Sequence, residues 1–269
     1  MSAPTREAWT QWRADRLRAV TSVPGNLALV SYQPVRDEPV PIEAVPGATV
    51  RRARDAVGVV VGADAALGME VDGSPVDGET FVARLRPDGT PVIRCGSHSF
   101  DAFSLDGTDV ELRVYDEHAE NLANFDGIDG YDFDASLAVP GTFAAYVDTD
   151  VVPWDFTRSV DSGHTKRVPG VITVTVGGAD RELLTFLDGE DLVLVFADAT
   201  TGGESYAPGR FLRIPRPVDA TVIVDFNRAF VPPCGFSDFY SCPVPPPQNR
   251  LDVPVRAGEK CALWKKPRY

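Results

Sequence analysis

Lysine is nearly missing from this chain of 269 residues: Lys166, Lys260, Lys265 and Lys266 are all it has. With 26 basic against 39 acidic residues, the formal charge is −13. So little positive charge argues against binding a nucleic-acid backbone, which needs a basic surface. It argues equally against anionic membrane surfaces. An acidic, lysine-poor surface suits a high-salt cytoplasm, and a GC-rich genome accounts for the arginine excess just as well. Long apolar runs are missing too. No stretch approaches the ~18 apolar residues of a transmembrane helix. Residues 1–20 carry Arg6, Glu7, Arg13, Asp15, Arg16 and Arg18 and no apolar core of a secretory signal. The expectation is a cytoplasmic protein.

Catalytic templates are scarce. His98, His118 and His164 are isolated, with no H-E-x-x-H spacing. No G-x-S-x-G elbow occurs. Ser97, His98 and Ser99 lie beside Cys95, but a nucleophile needs a base and an orienting group in space. Gly202 and Gly203 lack the lysine of a phosphate loop. The four cysteines, Cys95, Cys234, Cys242 and Cys261, match no C-x2-C zinc pattern. A Cys234–Cys242 bridge would contribute roughly 2–3 kcal/mol. Reduced thiols are the default in a cytosolic protein, and both states stay open. Asp116 to Asp134 is the most acidic stretch, but it lacks the glutamate an EF-hand needs at its twelfth position. It reads as a solvated loop. No metal ligand set and no cofactor emerge.

Apolar residues make up 43% of the chain, enough for a core. The best helix candidate runs from Thr5 to Ala19, with Thr5 as cap, Trp9 and Trp12 docking it and arginines on the other face. Afterwards come short alternating segments: 48–54, 57–61, 69–71, 80–85, 91–95, 97–104 and 109–115. Asp72-Gly73, Asp88-Gly89 and Asp106-Gly107 supply turns. Further strands are expected at 137–147, broken at Pro140-Gly141, then at 151–156, 170–176, 181–187, 192–197 and 221–226, with a hairpin at Gly177-Gly178. This pattern predicts a mainly β protein, an antiparallel sandwich or barrel-like domain over residues 21–269 with the N-terminal helix of residues 1–20 packed on it.

The chain is organised around TVIVDFNRAFVPPCGFSDFYSCPVPPPQNRLDVPVRAGEK, residues 221–260. Its prolines forbid helix between Val231 and Pro254 and make poor central strand. The interleaved aromatics suggest an ordered extended flap. This stretch resembles the core motif of DUF1684, a family of unknown function. The W-x-x-W-R-x-x-R layout from Trp9 to Arg16 and FADATTGGESYAPGRFL from Phe196 to Leu212 resemble the same family. The core resemblance spans about 180–260, and it implies no chemistry.

A site would lie where Asp198, Thr200, Glu204, Tyr206 and Arg210 approach Asp225, Asn227 and Arg228. That follows if the strands after Arg210 and before Asp225 pair as a hairpin. Arg210 and Asp225 would then be neighbours, with Phe211, Phe226 and Phe236 as walls. Asp198, Tyr206, Arg210, Asp225, Asn227 and Arg228 are the candidate ligand contacts. Three functions stay open. One is a domain binding a small polar molecule; one is a hydrolase-type enzyme using the same carboxylates and tyrosine; one is a structural or interaction protein in which these residues lock the flap. Oligomeric state is not legible.

Overall fold

The computed structural model describes residues 4–54, 58–83, 93–104, 110–158 and 164–267. The turns expected at Asp88-Gly89 and Asp106-Gly107 lie outside these residues. The chain divides into two compact units, Ala19–Asn124 and Met1–Arg18 with Phe125–Tyr269. Helix α1 is Arg6–Thr21.

The unit of residues 19–124 contains β1 Leu29–Pro34, β2 Val40–Pro41, β3 Thr49–Arg52, β4 Gly58–Ala63, β5 Glu70–Val71, β6 Ser74–Pro75, β7 Gly78–Ala83, β8 Ile93–Cys95, β9 His98–Phe103, β10 Glu111–Asp116 and a short helix α2, Glu120–Asn124. Its sheets run β1-β10-β9-β8-β5-β6 and β2-β3-β4-β7, with every pairing antiparallel. Val50, Val59, Val61 and Val82 of the smaller sheet share one apolar core with Ile93, Phe100, Leu112 and Val114 of the larger. That is a sandwich, built because longer strands such as β4, β9 and β10 turn alternate apolar residues inward. Asp72 and Gly73 both take positive φ, 53° and 73°. They close the hairpin that pairs Val71 with Ser74, as the Asp-Gly signal requires.

The other unit contains β11 Phe125–Gly130, β12 Ala138–Pro153, β13 Thr165–Val176, β14 Ala179–Asp188, β15 Asp191–Phe196, β16 Arg210–Pro215, β17 Thr221–Asp225 and β18 Glu259–Trp264. The main sheet is ordered β16-β15-β14-β13-β12-β17, and β11 pairs with β18 apart from it. The main sheet curls. Phe211 in β16 exchanges backbone hydrogen bonds of 2.9 and 2.8 Å with Phe230, five residues past the end of β17. Ile172, Leu183, Leu194, Leu212, Val222 and Val224 fill the inside of this half-barrel.

Three expectations are corrected. The strand from 138 does not break at Pro140-Gly141. β12 runs to Pro153, because Pro140 pairs only with Ile223 of β17, and pairing with β13 begins at Gly141. Proline is tolerated where one side of a strand is open. The acidic stretch 116–134 is not merely a loop: it contains α2 and β11. The proline-rich segment holds two single turns of 3-10 helix, Pro233–Gly235 and Pro247–Asn249. Each begins on a proline, whose missing N–H would be unpaired there in any case.

Asn249, fully buried, rivets that segment to the sheet. Its amide accepts from Leu184 N (2.9 Å) and donates to Leu184 O (2.9 Å) and Val195 O (2.8 Å). Pairing of β14 with β15 starts one residue further on, at Thr185 and Leu194. The side chain therefore serves the backbone groups that the diverging strands leave open.

Candidate functional site

Arg210 begins β16 and is completely buried. Its Nη2 donates to Asp198 Oδ2 at 2.5 Å and Val255 O at 2.8 Å, and its Nη1 to Ala257 O at 2.5 Å and Glu259 O at 3.2 Å. Three alternate carbonyls of one strap, 255–259, thus converge on a single guanidinium. Its Nε has no partner among the described residues. Gly258 lets the strap pass: its φ is +76°, and a Cβ there would stand 2.4 Å from Ala229 O. The rings of Phe196 and Tyr131 lie 5.2 and 5.8 Å from the guanidinium carbon. Asp198 is closed off in turn, its Oδ1 accepting from Thr200 N and Oγ1, both at 2.6 Å. Thr200 Oγ1 also lies 2.8 Å from Ser205 Oγ.

The carboxylate partner of Arg210 is therefore Asp198, and the expected Arg210–Asp225 pair does not form. The expected hairpin of β16 with β17 does not form either, since the two are opposite edges of the main sheet. Asp225 instead accepts at Oδ1 from Asn227 N (3.2 Å) and Nδ2 (2.9 Å), with Arg228 Nε 3.5 Å from its Oδ2. Asn227 is fully buried, bonded to Asp134 N (2.9 Å) and Asp134 O (2.8 Å). Its own carbonyl accepts from Trp9 Nε1 at 3.1 Å. Arg228 is 43% exposed. Tyr206 turns its hydroxyl to the Cys234 thiol. Phe211, Phe226 and Phe236 are buried core rather than pocket wall.

Helix α1 docks through arginine as well as tryptophan. Thr5 caps it, accepting from Ala8 N at 3.2 Å. Trp9 is buried, Trp12 is half-buried and Leu17 is exposed. Arg13 donates to Ile128 O at 3.1 Å. Arg16 donates to Val231 O at 2.7 Å and to Glu259 Oε1 at 3.1 Å, its guanidinium 4.8 Å from the Phe230 ring centre. The expectation that the arginines lie on the face away from the body is thus overturned for Arg13 and Arg16. A flat guanidinium stacks on rings while donating at its edge. Glu259 Oε2 accepts from Val231 N at 2.8 Å. Burial pushes the Glu259 carboxyl above its ordinary pKa, against the pull of Arg16.

Beside this interior an open cleft of about 620 Å³ is lined by Arg6, Tyr131, Asp132, Phe133, Asp134 and Arg256 among others. Arg256 grips the exposed Glu204 carboxylate with two donors, at 2.9 and 2.6 Å, and Tyr131 OH joins at 3.2 Å. The hydrogen bond from Arg256 holds the Glu204 carboxyl below its usual range, while burial raises the Tyr131 phenol. Lys260 Nζ sits 4.8 Å over the Tyr131 ring and 3.4 Å from Asp129 Oδ2. Of the candidate contacts inferred from sequence, none lines this cleft; Glu204, weighed with them, stands at its edge through Arg256. Tyr131, Arg256, Glu259, Arg16 and Asn249 were missed. The R-A-G-E-K run at 256–260, with three charges in five residues, was the available signal. Among the described residues no cluster of three or more His, Cys, Asp or Glu is placed to hold a metal ion.

A family model described as a protein of unknown function, DUF1684, matches residues 123–260. The chain belongs to this family. The DUF1684 region thus reaches upstream of the 180–260 resemblance to include β11, β12 and β13, and it ends on Lys260 at the Arg210 strap. Among solved structures, an uncharacterized protein of Haloarcula marismortui, determined by solution NMR, is 32% identical over 51% of this chain and 77% of its own, with a TM-score of 0.42. No curated protein matches the chain.

Proposed function

We propose that the DUF1684 unit is a binding domain for a small polar molecule carrying an acid group, taken up in the cleft of Arg6, Tyr131, Phe133 and Arg256. The observation that carries this is the convergence of the Arg256 fork and the Tyr131 hydroxyl on one carboxylate, that of Glu204, at a cleft of about 620 Å³. A fork matched to a carboxylate, beside a flat ring, is what recognition of a small acid requires. The ligand's acid group replaces or extends Glu204 at that fork. Arg6, whose guanidinium lies 5.5 Å from the Phe133 ring centre, offers a second cationic contact. The buried Arg210–Asp198 pair holds the floor and does not touch ligand.

The hydrolase reading finds less support. Burial raises the pKa of two carboxyls: Asp101 belongs to the other unit, and Glu259 has both oxygens committed, to Arg16 and to Val231 N. The structural reading is favoured by the internal pairing of Asp198 and Asn227, and the same experiment decides against it or for it. Amino acids and small di- and tricarboxylates are titrated while Tyr131 and its neighbours are followed by NMR. Saturable shifts at Tyr131 and Arg256, lost in Arg256→Ala with stability within about 1 kcal/mol, are expected. Titrations that leave the cleft unshifted with every probe would favour the structural role.

A further inference from the structure

The cleft leaves one cluster unused. Cys234 is the middle residue of the 3-10 turn Pro233–Gly235, and its N–H donates to Cys242 Sγ at 3.3 Å. An N–Cα bond is about 1.46 Å long, so the Cys242 sulfur lies within about 4.8 Å of the Cys234 Cα. The Cys234 thiol is itself hydrogen-bonded to the Cys242 side chain, so the two sulfurs are direct neighbours. The frame behind Cys242 is fixed: Thr157 N donates to Cys242 O at 2.8 Å, Cys242 N donates to Thr157 Oγ1 at 3.0 Å, and Val244 N donates to Asp155 O at 2.9 Å. The two sulfurs differ in access, Cys234 being partly exposed and Cys242 buried.

We propose that Cys234 and Cys242 form a redox-active dithiol, in which Cys234 reacts first with a hydroperoxide and Cys242 resolves it to a disulfide. The Cys234 thiolate attacks one peroxide oxygen; an S–O bond forms, the O–O bond breaks, and the other oxygen leaves as the protonated alcohol or water. The Cys242 thiolate then attacks Cys234 Sγ, the S–S bond forms, and the S–O bond breaks to release water. The two thiols lose two electrons and the peroxide gains them.

Hydrogen bonds support the order of events. Those to the Cys242 side chain first, and to the hydroxyls of Tyr206 and Thr157, draw the Cys234 thiol below its ordinary pKa despite burial. Burial pushes Cys95 and Cys261 the other way. Thiolate character and access together select the thiol that peroxide oxidises. Tyr206, expected to touch ligand, takes a place at this centre instead.

The chain is suited to a direct test. No lysine or arginine lies between Arg228 and Arg250, so trypsin releases both cysteines in one peptide, 229–250. The intact protein is treated with hydrogen peroxide, alkylated and digested. The expected product is peptide 229–250 lighter by two hydrogens and closed to alkylation, restored by dithiothreitol, and formed at least about tenfold faster than Cys95 or Cys261 is lost. In Cys242→Ser, dimedone should trap a sulfenic acid at Cys234. The proposal is overturned if peptide 229–250 stays a dithiol while Cys95 or Cys261 oxidises, or if dimedone labels Cys242 in Cys234→Ser faster than it labels Cys234 in Cys242→Ser. Should either variant fail to fold, the peptide from the unmutated protein is enough to decide between these outcomes.

Discussion

Replacing Arg210 by alanine should strongly destabilise the DUF1684 unit. The side chain is wholly buried, and it is the partner of an equally buried carboxylate, Asp198. Removing one member of such a pair strands a charge in the interior, at about 3–5 kcal/mol. Val255, Ala257 and Glu259 would each lose a donor to their carbonyls. Each of these would cost about 1–3 kcal/mol if left dry. Water entering the vacated space recovers much of that, so a total of at least about 4 kcal/mol is expected. For a unit of this size, 1 kcal/mol moves Tm by about 2–4 °C, which gives a fall of about 8–16 °C. The assay is selective, since all four tryptophans, Trp9, Trp12, Trp154 and Trp264, belong to this unit. Tryptophan fluorescence on heating therefore reports on it and not on residues 19–124. A double variant, Arg210→Met with Asp198→Leu, replaces the pair by apolar groups and should lose less than the two single changes summed, by more than about 1 kcal/mol. A Tm for Arg210→Ala within about 4 °C of the parent would refute the account and return Arg210 to the ligand-facing residues.

Asn249→Ala strips Leu184 and Val195 of three hydrogen bonds in a dry place and should cost about 3 kcal/mol or more in urea titrations; a loss under about 1 kcal/mol would show that water takes its place. Arg16→Ala leaves Glu259 without its cation and should cost about 3–5 kcal/mol near neutrality. Because the folded pKa of Glu259 is raised above its ordinary 4.5, the fold favours the protonated form, and the stability this group contributes is present below pH 4.5 and lost as pH rises through the folded value. The Tm deficit of Arg16→Ala should therefore shrink on acidification, and a deficit constant from pH 7 to 4 would contradict this. Glu204 has the opposite sign: Arg256 depresses its pKa below 4.5, so its contribution is present above that pH and lost as pH falls through the folded value. Glu204→Gln should flatten the acid limb of the melting curve relative to the parent, and superimposable limbs would count against the pair.

Much of the β framework was legible because it is local. Alternating valines in 221–225 and 170–176, and turn pairs such as Asp72-Gly73 and Gly177-Gly178, state their conformation within a few residues. Pro140 misled, since whether a proline ends a strand depends on which neighbour arrives. The arginines of α1 misled for a related reason. Helical spacing marks 9, 13 and 16 as one face, but a rule that sends charge to solvent conceals a guanidinium stacked on Phe230. The partner of Arg210 was closer to hand. Arg210 lies opposite Phe196 in the β15–β16 hairpin, so Asp198, two residues further along, falls on the same side by the period of two. Pairing β16 with its own hairpin partner rather than with β17 would have found it. The carbonyls of 255–259 carry no side-chain signature, and composition could not have revealed them.

The reach of Arg16 to Glu259, across 243 positions, sets a timetable for synthesis. Helix α1 leaves the ribosome well before Asn227, Val231 and Glu259, which receive it, are made. At about 5–20 residues per second, that interval is roughly 10–50 s. Throughout it, Trp9 has no Asn227 carbonyl to bond and Arg16 no carboxylate to meet. A nascent chain in this state presents an aromatic, cationic stretch to whatever chaperone attends the tunnel exit. The synthesis of Glu259 decides when that exposure ends.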